Sequence, residues 1–138
     1  LKALTIHQPW ATLIAIGAKR FETRPWLTKY RGPIAIHASK CKDYLYLCNQ
    51  KKFREALPKI NGLVQLPLGV ILGINNLVDC IEITPDNLPE EPEYGFGNYG
   101  FGRFMFDLQN MKLLPEPIPA IGQQKLWNWT VPQGVILP

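Results

Sequence analysis

Histidine and cysteine are scarce in this chain: it holds two histidines and three cysteines among 138 residues. Cys41, Cys48 and Cys80 form no CxxC pair. An odd, sparse set argues against a disulfide framework and fits a reducing compartment, so a cytoplasmic location is expected. His7 and His37 lie far apart, with no HExxH motif and no Cys/His cluster, so no zinc site is expected. No apolar run approaches the ~18 residues that a membrane-spanning helix requires. No basic stretch followed by an apolar run and a small-residue cleavage site marks a signal peptide. Gly95, Gly97, Gly100 and Gly102 alternate with aromatics, and no GxGxxG follows a strand and opens a helix. A nicotinamide cofactor therefore has no support, and no cofactor of any kind is expected.

What remains is a chain with 46% hydrophobic and 19% charged residues. That is enough apolar material for a real core, and the length fits one domain over 1–138. The charge is unevenly spread. Residues 1–60 carry twelve basic and three acidic side chains, whereas residues 61–138 carry three basic and eight acidic ones. A basic front half suits a polyanion such as nucleic acid, provided its charges share a face once folded.

The expected elements follow from pattern. Ala3–Ile6 reads as a short strand. Pro9 suits the first turn of a helix, where its missing N–H would be unpaired anyway. Trp10, Leu13 and Ile14 follow at helical spacing, and Gly17 is a natural stop. Residues 18–32 read as an ordered loop running into a strand at Pro33–Ala38. A helix is expected over Asp43–Leu57 and a connection over Asn61–Pro67. Gly69–Ile83 reads as one bent strand or two short ones, with a bulge or turn at Asn75-Asn76. Thr84–Glu93, with three prolines and four acidic residues, reads as an exposed acidic loop and a candidate protein contact. Arg103–Leu108 alternates as a strand should. The three prolines of Leu114–Gly122 exclude a helix and predict an extended crossing segment. A last strand is expected near Val135–Leu137.

The densest run of chemistry is Gly17-Ala18-Lys19-Arg20-Phe21-Glu22-Thr23-Arg24-Pro25-Trp26. If extended, it puts Arg20, Glu22 and Arg24 on one face and Lys19, Phe21 and Thr23 on the other. A tight turn would instead bring Lys19 and Glu22 together. Lysine offers a point cation or a base, arginine a planar fork for phosphate, and tryptophan a face for stacking a base. A local surface ion pair is the plainer alternative. Elsewhere, Gln8 is a candidate for the mouth of a cleft. His37 and Ser39 alternate onto one face of their strand and are candidate binding residues. Arg103 is a candidate phosphate or base contact, and Tyr99 a candidate stacking ring.

In order along the chain come Gln8-Pro9-Trp10-Ala11, Gly17-x-Lys19-x-x-Glu22-x-Arg24-x-Trp26, Tyr30-Arg31-Gly32-Pro33 and Ile36-His37-Ala38-Ser39-Lys40. Later come Gly102-Arg103-Phe104-x-Phe106-x-Leu108, Pro115-Glu116-Pro117-Ile118-Pro119 and Gly122-x-Gln124-x-Leu126-Trp127. Together they resemble the ASCH (activating signal cointegrator homology) domain family, a branch of the PUA-like superfamily. The resemblance implies an α+β fold: a small β-barrel flanked by helices, with a cleft between barrel and first helix lined by the Lys19/Glu22/Arg24 motif. It implies binding of RNA or a nucleotide-like ligand. Lys19, Arg24 and Arg103 would meet phosphate, and Trp26 or Tyr99 would stack a base. The alternative is a hydrolase, either an amidohydrolase of an acylated nucleoside or a ribonuclease, using Lys19 and Glu22. One branch of the family is similar to an amidohydrolase that uses a lysine, a threonine three residues later and a distant glutamate. This chain has Glu22 at the threonine position, and no motif places the distant glutamate.

Overall fold

The computed structural model describes residues 1–138. Six strands form one curled sheet, a half-barrel in the order β2-β7-β6-β3-β1-β8. β1 is Lys2–Ile6, β2 Phe21–Arg24, β3 Gly32–Ala38, β6 Val70–Glu82, β7 Phe104–Pro119 and β8 Leu126–Asn128. β4, Lys59–Ile60, and β5, Leu63–Val64, form a separate hairpin. The helices are short: α1, Trp10–Ala15; α2, Lys51–Ala56; and α3, Glu93–Phe96. None is long and apolar enough to cross a membrane.

Period-2 alternation divides the sheet into two packed faces. Leu4 and Ile6 of β1, Ile34 and Ile36 of β3, and Phe106 and Leu108 of β7 point one way. They are fully or nearly fully buried against Ala11, Ile14 and Ala15 of α1. Ala3, Ala35 and Ile71 point the other way and pack with Trp127 and Trp129. Burying a ring the size of Phe106, which has no exposed surface, contributes about 1.5–3 kcal/mol.

β6 and β7 are unusually long, at 13 and 16 residues. Their pairing shifts register three times, between Ile71/Gly73, Ile74/Asn76 and Leu77/Asp79. Each shift bends the ladder and increases its twist, which curls the sheet. The expected bulge at Asn75-Asn76 coincides with the second shift. The expected extended segment with three prolines is the far half of β7, beyond the bend.

Four expectations need correction. Residues 21–24 are a strand rather than loop, because an open edge of β7 pairs with them from Phe104 to Asp107. The helix expected over 43–57 is confined to α2, preceded by a 3-10 turn at Leu45–Asn49. Gln50, at φ −78° and ψ 137°, is extended and separates the two. The connection over 61–67 contains a hairpin turn. Asn61 and Gly62 both adopt positive φ, 53° and 79°, as a two-residue Asn-Gly turn requires. The last strand is Leu126–Asn128, antiparallel to β1, and residues 135–137 form none.

Candidate functional site

β8 pairs only with Lys2, Ala3 and Leu4 of β1, so the rest of that edge stays open. Lys125, at φ 55°, turns the chain away just before β8 begins. There the barrel fails to close, and a cleft of about 740 Å³ opens. Its walls come from Thr5 and Ile6 at the end of β1 and His7 just after it, from Trp10 of α1, and from Lys19, Glu22, Thr23, Arg24 and Trp26. Tyr44, Gly97, Asn98, Arg103 and residues 123–125 complete it. Four cationic side chains, Lys19, Arg24, Arg103 and Lys125, share this cleft with a single carboxylate, Glu22. The basic front half thus contributes two of those cations, and the acidic back half contributes the other two.

Lys19 is among the most buried side chains in the protein, with 1% of its surface exposed. Its ammonium donates to the Phe21 carbonyl, to Glu93 Oε2 at 3.1 Å and to the Tyr99 hydroxyl at 3.2 Å. All three of its N–H groups therefore have acceptors. Tyr99 in turn donates to Glu93 Oε2 at 2.5 Å, and the Arg20 backbone N–H reaches Glu93 Oε1 at 2.5 Å. Burial and the neighbouring Glu93 carboxylate push the Tyr99 phenol well above its usual range, so it remains a donor. Glu93 lies at the end of the expected acidic loop and faces inward, pinning α3 to the start of β2.

Glu22 and Arg24 alternate onto the cleft face of β2, as an extended reading requires. Arg24 donates through Nε at 3.0 Å to Glu22 Oε2 and through Nη2 at 2.7 Å to the Thr5 carbonyl. That carbonyl belongs to the part of β1 that β8 does not reach. Arg24 thus bridges the open seam and fixes the Glu22 carboxylate, while Glu22 Oε1 accepts no hydrogen bond from the protein. Arg20 points elsewhere, in a bidentate pair with Asp107 at 2.7 and 2.8 Å.

Arg103 donates through Nη2 to the Thr23 carbonyl at 3.0 Å and to Thr23 Oγ1 at 3.3 Å. Its Nε is buried and has no acceptor. Thr23 Oγ1 donates to the Asn98 carbonyl at 2.7 Å, joining β2 to the loop after α3. Trp26 meets Phe106 edge-on at 5.0 Å, with the Lys125 ammonium 5.9 Å from its ring.

The remaining sequence candidates separate. Gln8 is fully buried rather than at the cleft mouth. Its amide accepts from Thr12 N–H at 2.9 Å and donates to Thr12 Oγ1 and the Pro67 carbonyl, tying down the first turn of α1. His37 is register partner to Thr5 but does not line the cleft. It bonds Thr5 Oγ1 and the Ala120 carbonyl and meets Trp127 edge-on. Burial lowers its pKa from the usual 6.5, and the Ala120 contact opposes that. Ser39 follows the end of β3, so strand alternation no longer orients it. Its hydroxyl lies 2.6 Å from His7 Nδ1, not against His37. Tyr99 is 5% exposed and stacked against Tyr94, and does not line the cleft.

The cleft also holds groups that sequence reasoning passed over. His7 stacks on Tyr44 at 5.4 Å, and Trp10 tilts against Tyr44 at 5.1 Å, forming an aromatic wall. Trp10 is fixed through its indole N–H to the Phe96 carbonyl. Tyr44 and Lys125 carry no pattern of their own. Glu93 is one of several acidic residues in its segment, and only folding brings it to Lys19. No group of three or more His, Cys, Asp or Glu side chains is gathered to hold a metal.

A curled six-strand half-barrel with few, short helices is a PUA-like fold. The ASCH domain profile matches residues 4–126, and the chain belongs to the ASCH domain family. It is 29% identical over 134 residues to human activating signal cointegrator 1, covering 91% of this chain and 22% of that protein. Its identity to the mouse protein of the same name is 28%, with the same coverage. The chain therefore spans about a fifth of the length of these relatives. Among solved structures it resembles the ASCH protein of Zymomonas mobilis. The TM-score is 0.56 at 14% identity, covering 94% of this chain and 87% of that one. A point mutant of that protein superposes with a TM-score of 0.54, also at 14% identity, covering 94% of this chain and 89% of the mutant.

Proposed function

We propose that this ASCH domain binds single-stranded RNA or a nucleotide-like ligand in the cleft at the open seam. The observation that carries this reading is Arg103. It lines the cleft, and while Thr23 holds its Nη2, its Nη1 has no acceptor in the protein. A phosphate oxygen in the cleft would accept from Nη1 in a charge-assisted hydrogen bond. Lys125 is exposed on the same cleft and adds a second phosphate contact. Trp26 and the His7–Tyr44–Trp10 wall supply ring faces for a base. Lys19, with every N–H engaged, serves to hold the cleft together rather than to meet phosphate. Fluorescence titration of a single-stranded RNA into the wild type and into Arg103→Ala tests this. Binding in the wild type that weakens at least severalfold in the variant is expected. Equal binding would remove Arg103 from the interface.

A second reading, hydrolysis of an acylated nucleoside, is favoured by one contact. The amidohydrolase branch uses a lysine and a distant glutamate, and Glu93 Oε2 lies 3.1 Å from Lys19 Nζ. Glu22 still stands where that branch has threonine. Turnover of an N-acylated nucleoside by the wild type, lost in Lys19→Ala and Glu93→Gln preparations that remain folded, would support this reading. Equal turnover in the variants would exclude it.

A further inference from the structure

Glu22 is out of place for a site that only gathers phosphate. It is the single carboxylate in a cleft with four cationic side chains, and it would repel a phosphate brought close to it. Yet the protein fixes it there. Arg24 clamps Oε2 from Nε and lies 2.9 Å away through Nη2, while also holding the Thr5 carbonyl. The Glu22 side chain is 14% exposed, and Arg24 engages only Oε2, so Oε1 has no partner in the protein. An ionised carboxylate accepts hydrogen bonds and donates none. A fixed, partly desolvated oxygen of this kind selects a ligand group that donates. The same cleft holds the His7–Tyr44–Trp10 wall and Trp26, ring faces that take the flat body of a base.

Resting on the nucleotide reading of the cleft, we propose that Glu22 is its specificity-determining residue and that it selects guanine. The carboxylate would accept from guanine N1–H and N2–H2, the two neighbouring donors on that base's Watson–Crick edge. No other standard base fits as well. Adenine and cytosine place an acceptor ring nitrogen beside their amino group, and uracil places a carbonyl on each side of its N3–H. Those acceptors would face an oxygen that has nothing to donate. Arg24 acts through Glu22, as a positioning residue that sets the angle of the carboxylate and closes the seam.

The test uses single-stranded pentanucleotides UUGUU, UUIUU, UUAUU and UUUUU, and UUGUU with a 2′-deoxyguanosine at its centre. Trp10 and Trp26 report binding by quenching. The wild type should prefer UUGUU to UUIUU, whose inosine lacks only the N2 amine, by about tenfold or more. The deoxy probe should bind as UUGUU does. Glu22→Gln should bring the guanosine-to-inosine ratio close to one. The wild-type comparison needs no variant, so a misfolded Glu22→Gln leaves the proposal exposed to refutation. Equal binding of all five probes would overturn the guanine assignment and leave the RNA reading standing. Weakening confined to the deoxy probe would overturn it by showing that the donor is the ribose hydroxyl. Binding of none would overturn both.

Discussion

Glu93 Oε2 stands 3.1 Å from Lys19 Nζ, and this contact joins an acidic segment after β6 to the turn that opens β2. The lysine is 1% exposed and the glutamate 15%. Removing one member of a buried ion pair leaves the other uncompensated, at a cost of about 3–5 kcal/mol. Lys19→Ala should therefore lower stability to urea by roughly 3 kcal/mol. Glu93→Gln, which keeps an acceptor for Lys19 and Tyr99, should cost less. An unchanged urea midpoint in Lys19→Ala would show that the lysine is not structural.

His37 gives the fold a pH dependence. Burial lowers its pKa below the usual 6.5, so in mildly acidic solution the unfolded chain takes up a proton that the folded chain resists. Stability should be complete above about pH 6.5 and should fall as pH drops from there through the folded-state value. Thermal melts from about pH 7.5 to 5 should show this decline, and His37→Gln should flatten its share of it. An equal decline in the variant would assign the effect to other groups.

Gly73 sits where β6 and β7 shift register. A Cβ there would lie 2.7 Å from the Lys112 carbonyl oxygen and 3.2 Å from the Leu113 Cα. These are backbone atoms and cannot swing aside. Gly73→Ala should destabilise the domain by about 1–3 kcal/mol, read as a lower melting temperature. Gly62→Ala, with open space around it, should incur only the smaller cost of its φ of +79°. Equal destabilisation in the two variants would contradict close strand approach as the cause.

Much of this was legible in local pattern. The alternation of Leu4 and Ile6 against Ala3 and Thr5 marks two faces of a strand, and the structure has them. The prolines at 115, 117 and 119 exclude a helix, and the chain there is extended. The ordered motifs from Gln8 to Trp127 identified the family. What stayed hidden depends on contacts made across the fold. Residues 21–24 carry too many charges to read as strand, and only pairing with β7 makes them one. Lys19 has the look of a reactive amine until Glu93 and Tyr99, distant in the sequence, occupy it. Ser39 shares strand parity with His37, but β3 ends at Ala38 and the hydroxyl turns to His7. The cleft itself exists because β8 covers only part of β1, which no periodicity announces.

Arg103 and Lys125 are the proposed phosphate contacts of a single strand lying in this cleft. Affinity for a short single-stranded RNA, measured across a salt series, tests that assignment most directly. Wild-type log K should fall linearly with log salt. The Arg103→Ala/Lys125→Ala variant should bind more weakly, with a slope shallower by roughly 0.7 for each phosphate no longer neutralised. Affinity that does not change with salt, or an identical slope in the variant, would contradict it.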